Sequence, residues 1–207
     1  MKSFITAVIF LLCSVCKAYA GDTAAYIKVH FLYGSKPKHE FKSTEPKWFG
    51  GIHGGHVGIE VDSNYIIDFT PEGEFHIFSH TGNRHSRFAT HTVNAFWQNF
   101  GSDSNSVKRT TIIIPISTVQ KKELDSIAKV YTASTPYDYA FFGMRCAAAA
   151  YDVLARIDIM KHRSKRGTYR RNFYPKRFRH HLMKKAEKEG WTIVRRNGSD
   201  TRIWEND

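Results

Sequence analysis

Along residues 26–33 apolar and polar positions alternate, with Ile27, Val29 and Phe31 on one side, which predicts a strand that stops at Gly34. A polar loop rich in Lys and Pro follows as far as Trp48. A second alternation starts after the glycine-rich approach Phe49-Gly-Gly-Ile-His-Gly-Gly-His, with Val57, Ile59 and Val61 on one face and His56, Gly58 and Glu60 on the other. Asp62-Ser-Asn is a turn, so residues 65–69 are expected as the second strand of a hairpin. Residues 74–78 are expected as its third strand, after the turn at Pro71 and Gly73. Residues 80–106 are polar around the aromatic pair Phe96 and Trp97 and read as an irregular excursion or a short helix.

The second half carries the stronger periodicities. Residues 110–116 are β-branched and predict a strand, and Ser117 suits the N-cap of a helix over 119–133, in which Leu124, Ile127, Ala128 and Tyr131 share a face. From Cys146 onward, Ala149, Ala150, Val153, Leu154 and Ile157 recur at helical spacing, which places Cys146 at the first turn of a buried helix. A basic loop then leads to a helix from Pro175 to Glu189 that Gly190 closes, and residues 191–194 and 201–204 suggest a small terminal hairpin around Asn197 and Gly198. Strands and helices in this order give an α+β domain, with no internal repeat and no Gly/Ser-rich linker to divide it.

The first residues change what the cysteines mean. Lys2 precedes an apolar run over 4–15 that is short for a bilayer span, and Ala18-Tyr19-Ala20 resembles a cleavage site. Residues 1–20 are therefore expected to be a signal peptide, residues 21–207 a single domain, and the location secreted or periplasmic. The residues before Cys16 do not make a lipobox. Removal of the leader takes Cys13 and Cys16 with it and leaves Cys146 as the one thiol of the mature chain, unable to form an intramolecular disulfide. Such a thiol in an oxidising compartment is either a buried small hydrophobe or a reactive group.

Charge is unevenly placed. The chain has 31 Lys and Arg against 19 Asp and Glu, yet residues 21–160 balance at fourteen of each. Residues 161–196 hold fourteen basic residues against Glu187 and Glu189. This basic segment suits either a solvated face or attraction to an anionic envelope polymer or lipid surface. Export argues against nucleic acid as a partner.

Helix starts acidify cysteine, because unpaired backbone N–H groups and the helix dipole favour the thiolate, and the same N–H groups can hold an oxyanion. A base and a group that orients it complete a nucleophilic site. His56 is the candidate base, Asp68 in the paired strand the candidate orienting residue, and Glu60 its competitor.

These residues also carry a resemblance. The segment Thr135-Pro-Tyr-Asp-Tyr-Ala-Phe-Phe-Gly-Met-Arg-Cys-Ala-Ala-Ala-Ala-Tyr-Asp-Val-Leu resembles the nucleophile segment of NlpC-type cell-wall peptidases, in which a Pro-Tyr pair and a glycine-containing loop precede the cysteine. His56-Val-Gly-Ile-Glu lies ninety residues upstream of Cys146, which is the order of the circularly permuted branch that includes the lecithin retinol acyltransferase-like enzymes. The resemblance implies a papain-like antiparallel sheet packed on the nucleophile helix, with Cys146 as nucleophile, His56 as base and Asp68 as orienting residue. It also implies the Tyr137 hydroxyl with the Cys146 N–H as oxyanion donors, no cofactor, and amide hydrolysis in peptidoglycan peptides, or acyl transfer or lipid ester cleavage at the same site. Arg145 departs from the pattern, since the wall peptidases carry Asp before the nucleophile, and alanines replace the Ser-Gly after it.

Two rival readings come from other residues. His53, His56, His76, His80, His85 and His91 invite comparison with a zinc hydrolase, although no helical His-Glu-x-x-His frame holds them. The basic segment, with Tyr169, Phe173, Tyr174 and Phe178 interspersed, would alternatively serve a non-catalytic binder of anionic polymers.

Overall fold

A computed structural model describes residues 23–45, 54–74, 76–80, 85–101 and 106–207. The expected leader over 1–20, His53 and most of the glycine-rich approach lie outside the described residues. The fold is α+β, with five α-helices among the described residues and a six-stranded antiparallel sheet in the order β6 (Ser86–Thr92), β4 (Tyr65–Pro71), β3 (His56–Glu60), β1 (Thr23–Leu32), β7 (Arg109–Ser117) and β9 (Thr192–Arg196).

The strands form where alternation is strongest. β1 (Thr23–Leu32) pairs with β3 (His56–Glu60) on one side and with β7 (Arg109–Ser117) on the other, so Val29 lies between Ile59 and Ile112. β4 (Tyr65–Pro71) closes the hairpin with β3, setting Asp68 opposite Gly58. The other side of β4 pairs with β6 (Ser86–Thr92). Ile27, Val29, Phe31, Val57, Ile59, Ile67 and Phe69 point into one core. That core is covered by α2 (Thr118–Ala133), α3 (Cys146–Arg156) and α5 (Pro175–Glu189). Burial of apolar side chains at roughly 25 cal/mol per Å2 makes this layer the main source of cohesion. A smaller cluster joins Leu32 and Ile66 to Phe96 and Trp97 of α1 (Val93–Gly101).

Local signals set several boundaries. Ser117 caps α2 through a reciprocal box, its hydroxyl accepting from the Gln120 N–H while the Gln120 side chain accepts from the Ser117 N–H. Pro175 opens α5, and Gly190, in the left-handed conformation, ends it.

Four expectations are corrected. β5 (His76–Phe78) does not extend the hairpin but pairs in parallel with β8 (Ala140–Phe142), the strand before the Cys146 helix. The polar 80–106 stretch contains β6 as well as a helix. The basic loop contains a short helix, α4 (Lys165–Arg171), capped by Ser164. The terminal hairpin is absent: β9 (Thr192–Arg196) joins the main sheet against β7, and β10 (Arg202–Trp204) pairs with β2 (Ser35–Pro37). Gly198 still makes a positive-φ turn there, but the two strands leave it for different partners.

Candidate active site

The α3 helix begins at Cys146, with Arg145 in extended backbone as its N-cap. The Cys146 N–H therefore has no carbonyl four residues back within the helix to receive it. Small side chains at 147–150 let the helix lie close on β3 and β4, so that its first residue meets His56, the first residue of β3.

Two glycines fix the histidine strand. Gly55, immediately before His56, has φ +90, and a Cβ there would stand 2.4 Å from the Leu32 carbonyl oxygen. A Cβ on Gly58 would meet Phe96 and Ile66 at 2.7 and 2.8 Å. The close approach of α1 to β3 that Gly58 permits brings Phe100 against the imidazole of His56, stacked at 4.4 Å between centroids.

The hydrogen bond that orients the base is short. His56 Nε2 lies 2.6 Å from Asp68 Oδ2, which commits the other ring nitrogen to face away from the carboxylate. Asp68 is itself held from β6, where His91 Nε2 lies 3.2 Å from Oδ1. Glu60, the competing orienter, is engaged elsewhere, in contact with Lys28 and with His30 Nε2 at 3.0 Å.

Cys146, His56 and Asp68 are each 3% exposed, so electrostatics act here at low dielectric. Burial opposes a charge on His56, but the Asp68 carboxylate, its hydrogen bond and the adjacent thiolate outweigh burial and hold the imidazole raised to about 10. Burial likewise pushes the Cys146 thiol up. The hydrogen bond and charge of His56 overcome this, helped by the Arg145 charge and a hydrogen bond from Tyr139, and the thiol lies below its usual range. Asp68 is lowered against its own burial by the charge and hydrogen bond of His56 and by His91. Both shifts favour the thiolate–imidazolium pair over the neutral pair, and the thiolate is the more nucleophilic form of a cysteine.

The structure brings Cys146, His56 and Asp68 together, and it assigns the tyrosine beside the thiol differently from the sequence. The Tyr137 hydroxyl, expected as an oxyanion donor, donates instead to Asp152 Oδ2 at 3.0 Å. Tyr139, two residues on, interacts with the thiol. Burial first, and then the Cys146 charge, raise its pKa, so its hydroxyl stays protonated as a donor. In an extended lead-in, residues two apart share a side, and nothing in Pro136-Tyr137-Asp138-Tyr139 distinguishes the two tyrosines. The sequence gives no signal for His91 as a partner of Asp68, because no strand is expected there, nor for Phe100 beside His56.

Arg145 sits between aromatic rings, its guanidinium carbon 4.7 Å from the Phe173 centroid and 5.5 Å from those of Phe141 and Tyr174. Behind the thiol a cavity of about 10 Å3, lined by Val57, Asp68, Phe69 and Ala150 among others, holds at most one water, so a carbonyl cannot approach from the core. The described histidines of the zinc-hydrolase comparison divide into two groups. His56 and His91 belong to Asp68, whereas His76, His80 and His85 gather around Asp138. No family model, curated protein or solved structure matches the chain.

Proposed function

We propose that the protein is a cysteine hydrolase that acts through a thioacyl-enzyme. The observation that carries this reading is one contact set, the thiol at the start of α3 against an imidazole whose far nitrogen is held 2.6 Å from a buried aspartate. The Cys146 thiolate attacks a carbonyl carbon, and the carbonyl oxygen becomes an oxyanion received by the Cys146 N–H and the Tyr139 hydroxyl. His56 gives its proton to the departing amine or alcohol as the C–N or C–O bond breaks. It then takes a proton from water, which attacks the thioester and releases the acid and the thiolate. Asp68 holds the imidazole in one orientation throughout and balances its charge.

The order of elements, histidine strand first and cysteine helix ninety residues later, together with an antiparallel sheet against that helix, supports a permuted papain-like architecture. An amide in peptidoglycan peptides is the proposed substrate, in keeping with an exported protein and the basic segment over 161–196. A specific observation favours a second substrate, an acyl chain. Phe78 and Phe142 stack at 5.4 Å and, with Ile77, are exposed on the β5–β8 pair that leads into Cys146. No described helix is long and apolar enough to cross a membrane.

Incubation of purified sacculi, and separately of acyl-ester vesicles, with the protein and with Cys146→Ala, followed by mass spectrometry of products and of the protein, tests the reading. The expected result is released product and a transient acyl adduct on Cys146 in the unsubstituted protein alone. Absence of an adduct with every substrate, together with a Cys146 that reacts with iodoacetamide no faster than a free thiol, would overturn it.

A further inference from the structure

A second group of histidines lies outside the cysteine site. His76 is the first residue of β5, Glu74 lies just before it in the chain, and His85 is the residue before β6. His76 Nε2 and His85 Nδ1 are 3.2 Å apart, and Glu74 Oε2 lies 3.9 and 3.8 Å from them. Nitrogen ligands about 2.0–2.1 Å from a tetrahedral Zn2+ stand about 3.3 Å from each other, so this pair is already at ligand separation. A carboxylate that must move by only a few tenths of an ångström completes three ligands.

The other side of His76 is built in the way a metal-bound histidine requires. Its Nδ1 lies 2.6 Å from Oδ2 of Asp138, a fully buried carboxylate that also accepts from the His80 backbone N–H at 3.0 Å. With Nδ1 donating to the carboxylate, Nε2 keeps its lone pair and turns outward to His85 and Glu74. That is the carboxylate–histidine–metal arrangement, in which the outer carboxylate fixes the tautomer and raises the basicity of the ligand. Two nitrogens and one carboxylate oxygen, half open to solvent on the His85 and Glu74 side, suit a borderline dication with water in the fourth position.

We infer that His76 Nε2, His85 Nδ1 and Glu74 Oε2 form a site for Zn2+ or a similar transition-metal dication, with Asp138 as the carboxylate behind His76. The site is separate from the Cys146 centre and independent of its proposed reaction. It would tie β5 to the start of β6 and, through Asp138, to the segment holding Tyr139.

The test uses the full chain carrying Cys13→Ser, Cys16→Ser and Cys146→Ser, so that no thiolate can take the metal. Competition with a chromogenic chelator measures Zn2+ binding, and the visible spectrum of added Co2+ reports its geometry. One equivalent is expected, with a tetrahedral Co2+ spectrum. His85→Gln, at a half-exposed position that leaves the core intact, is expected to weaken binding at least 100-fold. Asp138→Asn is expected to weaken it about 10–100-fold while retaining the spectrum. No saturable binding by a folded protein carrying these three substitutions, or binding that survives both His85→Gln and His76→Gln unchanged, overturns the inference. Neither result depends on whether Cys146 is a nucleophile.

Discussion

Two histidine–aspartate pairs in this molecule share one contact distance, made through Nε2 in His56 and through Nδ1 in His76, and differ in what the other ring nitrogen faces. His56 meets Asp68 and His76 meets Asp138 at the same 2.6 Å, and both aspartates are buried. The free nitrogen of His56 faces a sulfur under cover of Phe100, whereas that of His76 faces a second imidazole and a carboxylate that reach solvent. An aspartate behind a histidine thus prepares a nitrogen without deciding its use. What differs is the group in front, a buried thiol for His56 and a solvent-exposed imidazole and carboxylate for His76.

That contrast is broken most directly at Cys146. Cys146→Ala is expected to abolish product and adduct formation, and His56→Ala to lower kcat/KM by about 10^2–10^4, the usual worth of a positioned proton-transfer group, with slower alkylation of Cys146 at pH 7. Asp68→Asn keeps the shape but weakens orientation and charge balance. It is expected to lower kcat by about 10^2–10^3 and to move the alkylation midpoint of Cys146 upward, measured by iodoacetamide labelling against pH.

The pH profile sharpens the same point. The ion pair requires a deprotonated Cys146 and a protonated His56, so kcat/KM rises with pH through the lowered pKa of the thiol and falls as pH passes about 10. Because His56 is raised above its ordinary 6.5, its contribution to stability is complete below that value and is lost as pH climbs through about 10. His56→Gln should therefore flatten the alkaline decline in melting temperature. At Asp138 the corresponding substitution should leave the Cys146 profile in place and alter metal binding instead.

Smaller effects separate the two tyrosines and test the glycine beneath the base. Gly55→Ala, at positive φ against the Leu32 carbonyl, is expected to destabilise by about 1–3 kcal/mol in urea titration. Tyr139→Phe should lower kcat severalfold with little change in KM. Tyr137→Phe should leave kcat intact and cost about 1 kcal/mol of stability through its lost bond to Asp152.

Much of this site can be read in the sequence because its parts coincide with strong periodic signals. The β-branched run of β7, the apolar spacing behind Cys146 and the turn at Asp62-Ser-Asn place the helix start and the hairpin, and a hairpin fixes Asp68 near His56 by register alone. What escaped was carried by residues whose periodicity reflects function rather than burial. β6 reads as polar because His91 serves Asp68 and only Phe88 and Ala89 are buried apolar residues in it. α4 buries Thr168 alone and so shows no apolar stripe. The β5–β8 pairing joins segments some sixty residues apart, and parallel partners leave no local mark on either strand.

The β2–β10 pair sets a limit on how this chain can be made. It brings Ser35 beside Trp204, and Arg202 donates to Ser35 Oγ and to Glu45, contacts that bridge almost the whole sequence. Loop closure over such a span costs about (3/2)RT ln n before any contact repays it. β2 therefore has no strand partner until residues 202–204 have been made. A chain halted a few residues short would hold every residue of the thiol site and still lack its closing seam.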